Sequence, residues 1–325
     1  MSVPEDCIAE EISDGIYLVD TLYLGREKFA ASYFLEDNGE IAIIETNTNY
    51  AIPRILNAVK NAGFSPGDVK YIILTHIHLD HAGGAGLIMK ELPNARLVVH
   101  PRGARHMISP EILIESVKQV YAEEKYRKLY GEIIGVPEER VISKTGGESV
   151  TVGKRELKMI DSPGHAKHHN IVYDDFSGSV FSGDAFGIGY PRFRYEMGAL
   201  AFPSTSPVQF DPERALATFE MISELKPLRI LLTHYGSVEN VSEVHDQLKK
   251  IINTTEKKAS QRYSEGLRGE ELNKALTNDI WEMFEKRIME VRGSSLTIEE
   301  KEHLFFDADL NGQGAAVYIT RKNRA

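Results

Sequence analysis

The sequence has little cysteine, no long apolar run and a deficit of positive charge. Cys7 is the single cysteine among 325 residues, which excludes an internal disulfide framework and is typical of a reducing cytosol. The longest apolar runs, such as Ile41–Ile44 and Ile230–Leu232, have the length of strands and are too short to span a bilayer. The first residues, MSVPEDCIAEE, are acidic where a secretory signal is basic. We therefore expect a cytoplasmic location and no membrane partner.

Acidic residues outnumber basic ones by 48 to 38, and the formal net charge is −10. Clustered Lys and Arg are what bind nucleic-acid backbones, so we expect no nucleic-acid partner. The hydrophobic share of 42% and the charged share of 26% are those of a globular chain. The length allows one large domain or two ordinary ones.

The local patterns predict short strands first, then strand–helix alternation, then helices. Strands are predicted at Ile16–Thr21, Phe29–Leu35, Glu40–Thr46, Tyr71–Leu74, Arg96–Val99, Ser149–Val152, Glu156–Ile160, Ile171–Tyr173, Ser179–Phe181 and Arg229–Leu232. Helices are predicted at Pro53–Ala62, Gly86–Glu91, Pro110–Tyr130 and Pro212–Leu225. A basic turn is expected at Pro101–Arg105 and an aromatic loop at residues 186–210. Beyond His234, two apolar stripes at helical spacing predict helices that face a core.

The strongest chemical signal is the block Thr75-His76-Ile77-His78-Leu79-Asp80-His81, which directly follows a predicted strand. Residues two apart in extended backbone point the same way, so His76 and His78 can face one metal ion. If a helix begins near Asp80, its carboxylate and His81 can face a neighbouring position. Three imidazoles and a carboxylate within six residues are ligands that Zn²⁺ favours.

Three further segments place a potential ligand where an apolar strand ends. These are Ile160-Asp161-Ser162-Pro163-Gly164-His165, Val180-Phe181-Ser182-Gly183-Asp184 and Ile230-Leu231-Leu232-Thr233-His234. Strand ends are rigid positions at which functional side chains commonly lie. Because each of these three segments places a potential ligand at a strand end, we predict that His165, Asp184 and His234 complete the site.

The order HxHxDH, then His, then Asp, then His resembles the metallo-β-lactamase superfamily. The stretches SPGHAKHH, FSGDAFG and LLTHYG are similar to its glyoxalase II-like hydrolases. The resemblance implies an α/β fold, the four-layer αββα sandwich, here with a C-terminal helical extension. We assign the catalytic domain to residues 1–237, with a helical insert at about 101–135. Because no low-complexity linker follows it, we expect the helical extension at 238–325 to pack on that domain.

The same resemblance implies two divalent metal ions, with zinc expected and iron or manganese as alternatives. The implied ligands are His76, His78 and His165 for the first ion, Asp80, His81 and His234 for the second, and Asp184 as a bridge. Two such ions share a water, lower its pKa to about 7 and present hydroxide as the nucleophile. Asp80 is expected to act in catalysis by moving the proton of that water to the leaving group.

Side chains near the metals are expected to bind a small-molecule substrate. Aromatics with arginines suit an apolar substrate that carries a carboxylate, and the candidates are Phe186, Tyr190, Arg192, Arg194 and Tyr235. Departures from the family pattern argue against two known substrates. No Cys-Gly-Arg motif follows Asp184, as in enzymes that cleave glutathione thioesters, and Gly187 stands where acyl-homoserine lactonases commonly carry tyrosine. Glu45 replaces the family's usual aspartate.

The sequence thus predicts a dinuclear hydrolase of a small ester, lactone or thioester. One alternative is a di-iron redox protein acting on oxygen or nitric oxide, although such relatives usually carry glutamate where His78 stands. Another is a phosphodiesterase or ribonuclease, which the net charge disfavours. The helices or the aromatic loop provide a possible homodimer contact.

Overall fold

The computed structural model describes residues 8–120, 123–193, 200–205, 207 and 209–324. Contacts divide the chain into two compact units. The first unit contains residues 1–161, 168–183 and 230–237, and the second contains 162–167, 184–229 and 238–325. Residues 238–325 share their unit with segments 162–167 and 184–229, and the catalytic domain at residues 1–237 stays a prediction.

The first sheet follows the order of the chain. Within the described part, its strands are β1 (Glu10–Ser13), β2 (Ile16–Asp20), β3 (Ala31–Asp37), β4 (Glu40–Ile44), β5 (Val69–Ile73), β6 (Arg96–Val99) and β7 (Val141–Ser143). Strands β1 to β4 are antiparallel, and β4 to β7 are parallel. Ile41–Ile44 are fully buried, as expected for a strand with parallel pairing that is covered on both faces.

Among the described residues, the α-helices of the first unit are α1 (Ile52–Asn61), α2 (Leu79–Ala82), α3 (Ala85–Glu91), α4 (Pro101–Ile108), α5 (Glu111–Val120) and α6 (Glu123–Tyr130). Helices α1 to α4 cover one face of this sheet, whereas α5 and α6 pack around Leu79 of α2. Ile55 of α1 and Ile88 of α3 belong to the same buried cluster as Phe34 and Ile43 of the sheet. One prediction was wrong here: Pro101–Arg105 is no turn but begins α4, because Pro101 suits a first turn and His100 caps it. Within the predicted helix Pro110–Tyr130, the described residues Glu111–Val120 and Glu123–Tyr130 are helical, and residues 121–122 lie outside the described residues.

The second sheet packs against the other face of the first. Its strands are β8 (Glu148–Val152), β9 (Arg155–Asp161), β10 (Asn170–Asp174), β11 (Ser179–Gly183), β12 (Arg229–Leu232) and β13 (Gly236–Val238), in the order β13-β12-β11-β10-β9-β8. Tyr33 of β3 joins the two sheets: its ring lies 5.5 Å from that of Phe181, and its hydroxyl donates to the carbonyl of Leu232 at 2.5 Å. The first unit thus contains β5 together with residues 230–232 of β12.

The second unit is mostly helical. Its helices are α7 (Pro212–Glu224), α8 (Val241–Ser264), α9 (Gly269–Arg292) and α10 (Ile298–Lys322). Most residues of the two predicted apolar stripes are buried, including Leu248 on α8 and Phe284 on α9. The predicted α/β class with two sheets and C-terminal helices is confirmed. Among the described residues, no helix is both long enough and apolar enough to cross a membrane.

Candidate metal centre

The histidine block leaves β5 in extended backbone, as its spacing predicted. Ile77 points into the apolar core of the first unit, whereas the Nε2 atom of His76 lies 3.0 Å from the Nδ1 atom of His78. The chain then turns into α2, with His78 immediately before its first residue. The alternation of side chains along a strand thus separates the two imidazoles from the isoleucine between them.

Asp80 and His81 lie on α2 and meet His234 at the end of β12. An oxygen of Asp80 (Oδ2) lies 3.6 Å from Nε2 of His81 and 3.3 Å from Nε2 of His234. The Nδ1 atom of His234 donates to the carbonyl of Phe29 at 3.0 Å, which leaves Nε2 to face Asp80. Asp80, His81 and His234 form one group whose ligand atoms all lie within 4.8 Å of one another.

Glu45 contacts His81 of this group on the ring nitrogen that does not face Asp80. It follows β4, is buried, and accepts a hydrogen bond from the backbone N–H of Thr75 at 2.7 Å. Its other oxygen contacts Nδ1 of His81. A carboxylate that accepts from one ring nitrogen leaves the other with its lone pair toward a metal ion. Glu45 also forms a candidate ligand group with His76 and His81.

The second unit brings His165 and Asp184 together. Nε2 of His165 lies 3.5 Å from Oδ2 of Asp184. His165 sits in a turn whose Gly164 has φ +137°, and a Cβ there would lie 2.5 Å from the backbone of Ala215. Ser204 touches both ligand candidates, because its carbonyl accepts from Nδ1 of His165 and its hydroxyl donates to Oδ2 of Asp184, each at 2.9 Å.

Ser204 was not anticipated from the sequence. It lies in an irregular stretch, 20 residues after Asp184, and no motif marks it. His168 and His169, which the sequence marks only as neighbours of His165, lie beside the histidine block in the first unit. The ring of His169 stacks on that of His76 at 4.7 Å, and the ring of His168 meets that of His78 edge-on at 5.6 Å.

The spacing of the donor atoms fits a shared cation. Two atoms that bind one zinc ion tetrahedrally, each about 2.0–2.1 Å from it, lie roughly 3.3 Å apart. The donor atoms of four pairs lie at similar separations: His76–His78 at 3.0 Å, Asp80–His234 at 3.3 Å, His165–Asp184 at 3.5 Å and Asp80–His81 at 3.6 Å. The donors are imidazole nitrogens and carboxylate oxygens, which suit zinc, iron and manganese. The residues present therefore fit divalent metal ions.

The predicted substrate-binding residues have varied environments. Phe186 is fully buried, with its ring against that of Phe219 at 5.7 Å, and Tyr190 is buried in the second unit. Arg192 is partly exposed and pairs with Glu299 at 3.2 Å. Tyr235 is buried and follows His234 through a cis peptide bond. Arg194 lies outside the described residues. Contact of these residues with a substrate stays a prediction.

Comparison with known proteins identifies the family to which the sequence is similar. The family model of the metallo-β-lactamase superfamily matches residues 25–234, a range that contains all seven predicted ligands. The metallo-β-lactamase fold-containing protein ST1585 of Sulfurisphaera tokodaii is 29% identical over 192 residues, which are 57% of this chain and 67% of that protein.

Two further proteins are similar. An N-acyl homoserine lactonase of Bacillus thuringiensis is 26% identical over 231 residues, covering 69% of this chain and 77% of the lactonase. The crystal structure of the metallo-β-lactamase family protein TTHA1429 from Thermus thermophilus has a TM-score of 0.61 at 19% identity, covering 96% of this chain and 95% of that one. The ordered ligand candidates, the paired sheets and the family match agree, and the chain belongs to the metallo-β-lactamase superfamily.

Proposed function

We propose that this chain is a hydrolase of the glyoxalase II-like kind that uses two metal ions, with zinc expected. His76, His78 and His165 would hold the first ion, Asp80, His81 and His234 the second, and Asp184 would bridge them. The single observation that carries the proposal is the spacing of the donor pairs, because separations of 3.0 to 3.6 Å bracket the roughly 3.3 Å between two ligands of one tetrahedral zinc ion.

When bound, two such ions lower the pKa of a shared water to about 7 and polarise a substrate carbonyl. The protein contributes to metal binding by fixing the orientation of three imidazole rings. The hydrogen bond from Nδ1 of His234 to the carbonyl of Phe29 fixes that ring. The contacts of Nδ1 of His81 with Glu45 and of Nδ1 of His165 with Ser204 do the same for the other two. In each ring Nε2 is thereby kept as the metal-binding atom.

Asp80 is the residue placed to move a proton. Its side chain is 28% exposed, whereas that of His81 is fully buried, so a substrate can reach the carboxylate. Oδ2 of Asp80 faces His81 and His234, and the backbone carbonyl of Asp80 accepts from the amide of Asn47 at 2.9 Å. A carboxylate fixed in this way can take the proton of an attacking water and pass it to a leaving alcohol or thiol.

The similarity to N-acyl homoserine lactonases supports an ester, lactone or thioester as the substrate class. The departures at Gly187 and in the stretch after Asp184 favour a substrate other than an acyl-homoserine lactone or a glutathione thioester. A small molecule is the proposed partner, and the cytosol is the proposed location.

The test combines elemental analysis of the purified chain with a screen of lactones, thioesters and phosphodiesters, with and without chelator. We expect hydrolysis that chelation abolishes and zinc restores. The variant His81→Gln should lose both metal and activity, and His106→Gln, on α4 and outside every candidate ligand group of the described residues, should keep both. Two equivalents of iron with an oxygen-dependent signal and no hydrolysis would refute the proposal in favour of redox chemistry.

A further inference from the structure

Helix α10 carries a polar stripe on its buried face. His303, Asp307 and Asn311 recur every four residues and are all buried, although the buried face of a helix is usually apolar. Buried polar groups are retained where they have specific partners. Asp307 and His303 have their partner in the segment that follows Asp184: the hydroxyl of Tyr190 donates to Asp307 at 3.4 Å, and the ring of His303 meets that of Tyr190 at 4.5 Å. The amide of Asn311 donates within the helix, to the backbone carbonyl of Asp307 at 2.8 Å.

The same face of α10 contacts the residue next to Ser204. The hydroxyl of Thr205 donates to the backbone carbonyl of Asn311 at 3.1 Å. Gly314 lies one turn further along, and a Cβ there would be 2.7 Å from the carbonyl oxygen of Thr205 and 2.8 Å from its hydroxyl. The backbone of Thr205 thus rests directly on the helix, at a distance that only glycine permits.

Ser204 in turn fixes two ligand candidates. Its carbonyl sets the orientation of the His165 ring, and its hydroxyl binds the Asp184 oxygen that faces that ring. A shift of a few tenths of an ångström at Thr205 would move both hydrogen bonds together. The orientation of His165 and that of Asp184 are therefore coupled through one serine.

We propose that α10 is a positioning element of the metal centre. Through Gly314 and Asn311 it holds Thr205, and through Thr205 it holds Ser204, so that His165 and Asp184 are oriented for metal before it binds. The inference rests on the proposed function, and it assigns to the C-terminal helix a task in metal affinity that differs from its share in the core.

The experiment titrates the metal-stripped full chain with Zn²⁺ against a chromophoric chelator. Removal of a residue that orients a ligand typically weakens metal binding about 10- to 100-fold, and we expect this for Ser204→Ala and Gly314→Ala. Ser204→Thr keeps the hydroxyl and should restore most of the affinity. Gly312→Ala is the matched control, because its Cβ would lie 2.5 Å from the hydroxyl of Thr277 on α9 instead.

Thermal unfolding of the stripped proteins separates positioning from stability. Both glycine variants should unfold at lower temperature than the wild type, and only Gly314→Ala should lose zinc affinity. Equal zinc affinity in wild type, Ser204→Ala and Gly314→Ala would overturn the inference and leave the proposed function standing. A loss of zinc affinity in Gly312→Ala as large as that in Gly314→Ala would do the same. A wild-type chain that binds no zinc would refute the proposed function, and this inference with it.

Discussion

The two sets of ligand candidates are built in different ways. In the first unit, His76, His78, Asp80 and His81 lie within six residues, and the alternation of one strand with the first turn of one helix aims them. In the second unit, His165 and Asp184 come from separate turns and depend on Ser204, which lies further along the chain. A local set is aimed by the backbone, whereas a dispersed set is aimed by tertiary contacts.

The largest expected effect concerns the local set. Asp80→Asn removes a charged ligand and the proposed proton acceptor, so kcat/KM should fall about 10²- to 10⁴-fold. Steady-state kinetics on a substrate found in the screen would measure this. Asp246→Asn, whose side chain is 79% exposed on α8, should be unaffected. A loss under tenfold for Asp80→Asn would exclude its role in proton transfer.

The dispersed set should depend on its turn. Gly164→Ala forces a side chain into a positive φ and against the backbone of Ala215, and strain and overpacking together should lower the free energy of unfolding by about 2–5 kcal/mol. Gly266→Ala also has positive φ but meets nothing within 4 Å, so it should cost only about 1–2 kcal/mol. Urea titration compares the two, and equal losses would show that the contact with α7 is unimportant.

The local set also has a tertiary support, and Glu45→Gln tests it. The new amide group would direct a donor at Nδ1 of His81, which is itself the donor in the native contact, so zinc affinity should fall about 10- to 100-fold. Glu36→Gln is the control, since the Glu36 carboxylate accepts from the exposed backbone N–H of Gly39, in a turn far along the chain from the ligands. Unchanged affinity in Glu45→Gln would mean that the strand and helix alone aim His81.

The smallest effect concerns a histidine outside both sets. Burial lowers the pKa of His100, against the opposing influence of the Asp161 carboxylate. The folded protein therefore binds this proton more weakly than the unfolded chain, and stability should be lost as the pH falls below about 6.5. Nδ1 of His100 also accepts from the backbone of Arg102 at the start of α4, and protonation would remove that acceptor.

The variant His100→Asn keeps a capping acceptor and removes the titration. Its urea midpoint should fall less steeply than that of the wild type between pH 7 and pH 5. Identical pH dependence in the two proteins would indicate that other histidines, such as those of the metal centre, account for the acid sensitivity.

The comparison also explains what could be predicted from the sequence. The α/β class, the positions of most strands and the arrangement of His76 and His78 follow from periodicity and spacing, which are local properties. Glu45 was recognised only because its strand end matches a family pattern. Ser204 and the polar stripe of α10 were missed, because their partners lie up to 117 residues away and the residues themselves are of ordinary polar types.

The alternation around Ile77 limits how this segment can change in length. One residue inserted between Thr75 and His78 would exchange the two faces of the extended chain. An imidazole would then enter the apolar cluster that now holds Ile77, and an isoleucine would stand among the donor atoms. Surface loops commonly tolerate changes in length, whereas at the end of β5 we expect an insertion or deletion of one residue to disrupt both the core and the candidate metal centre.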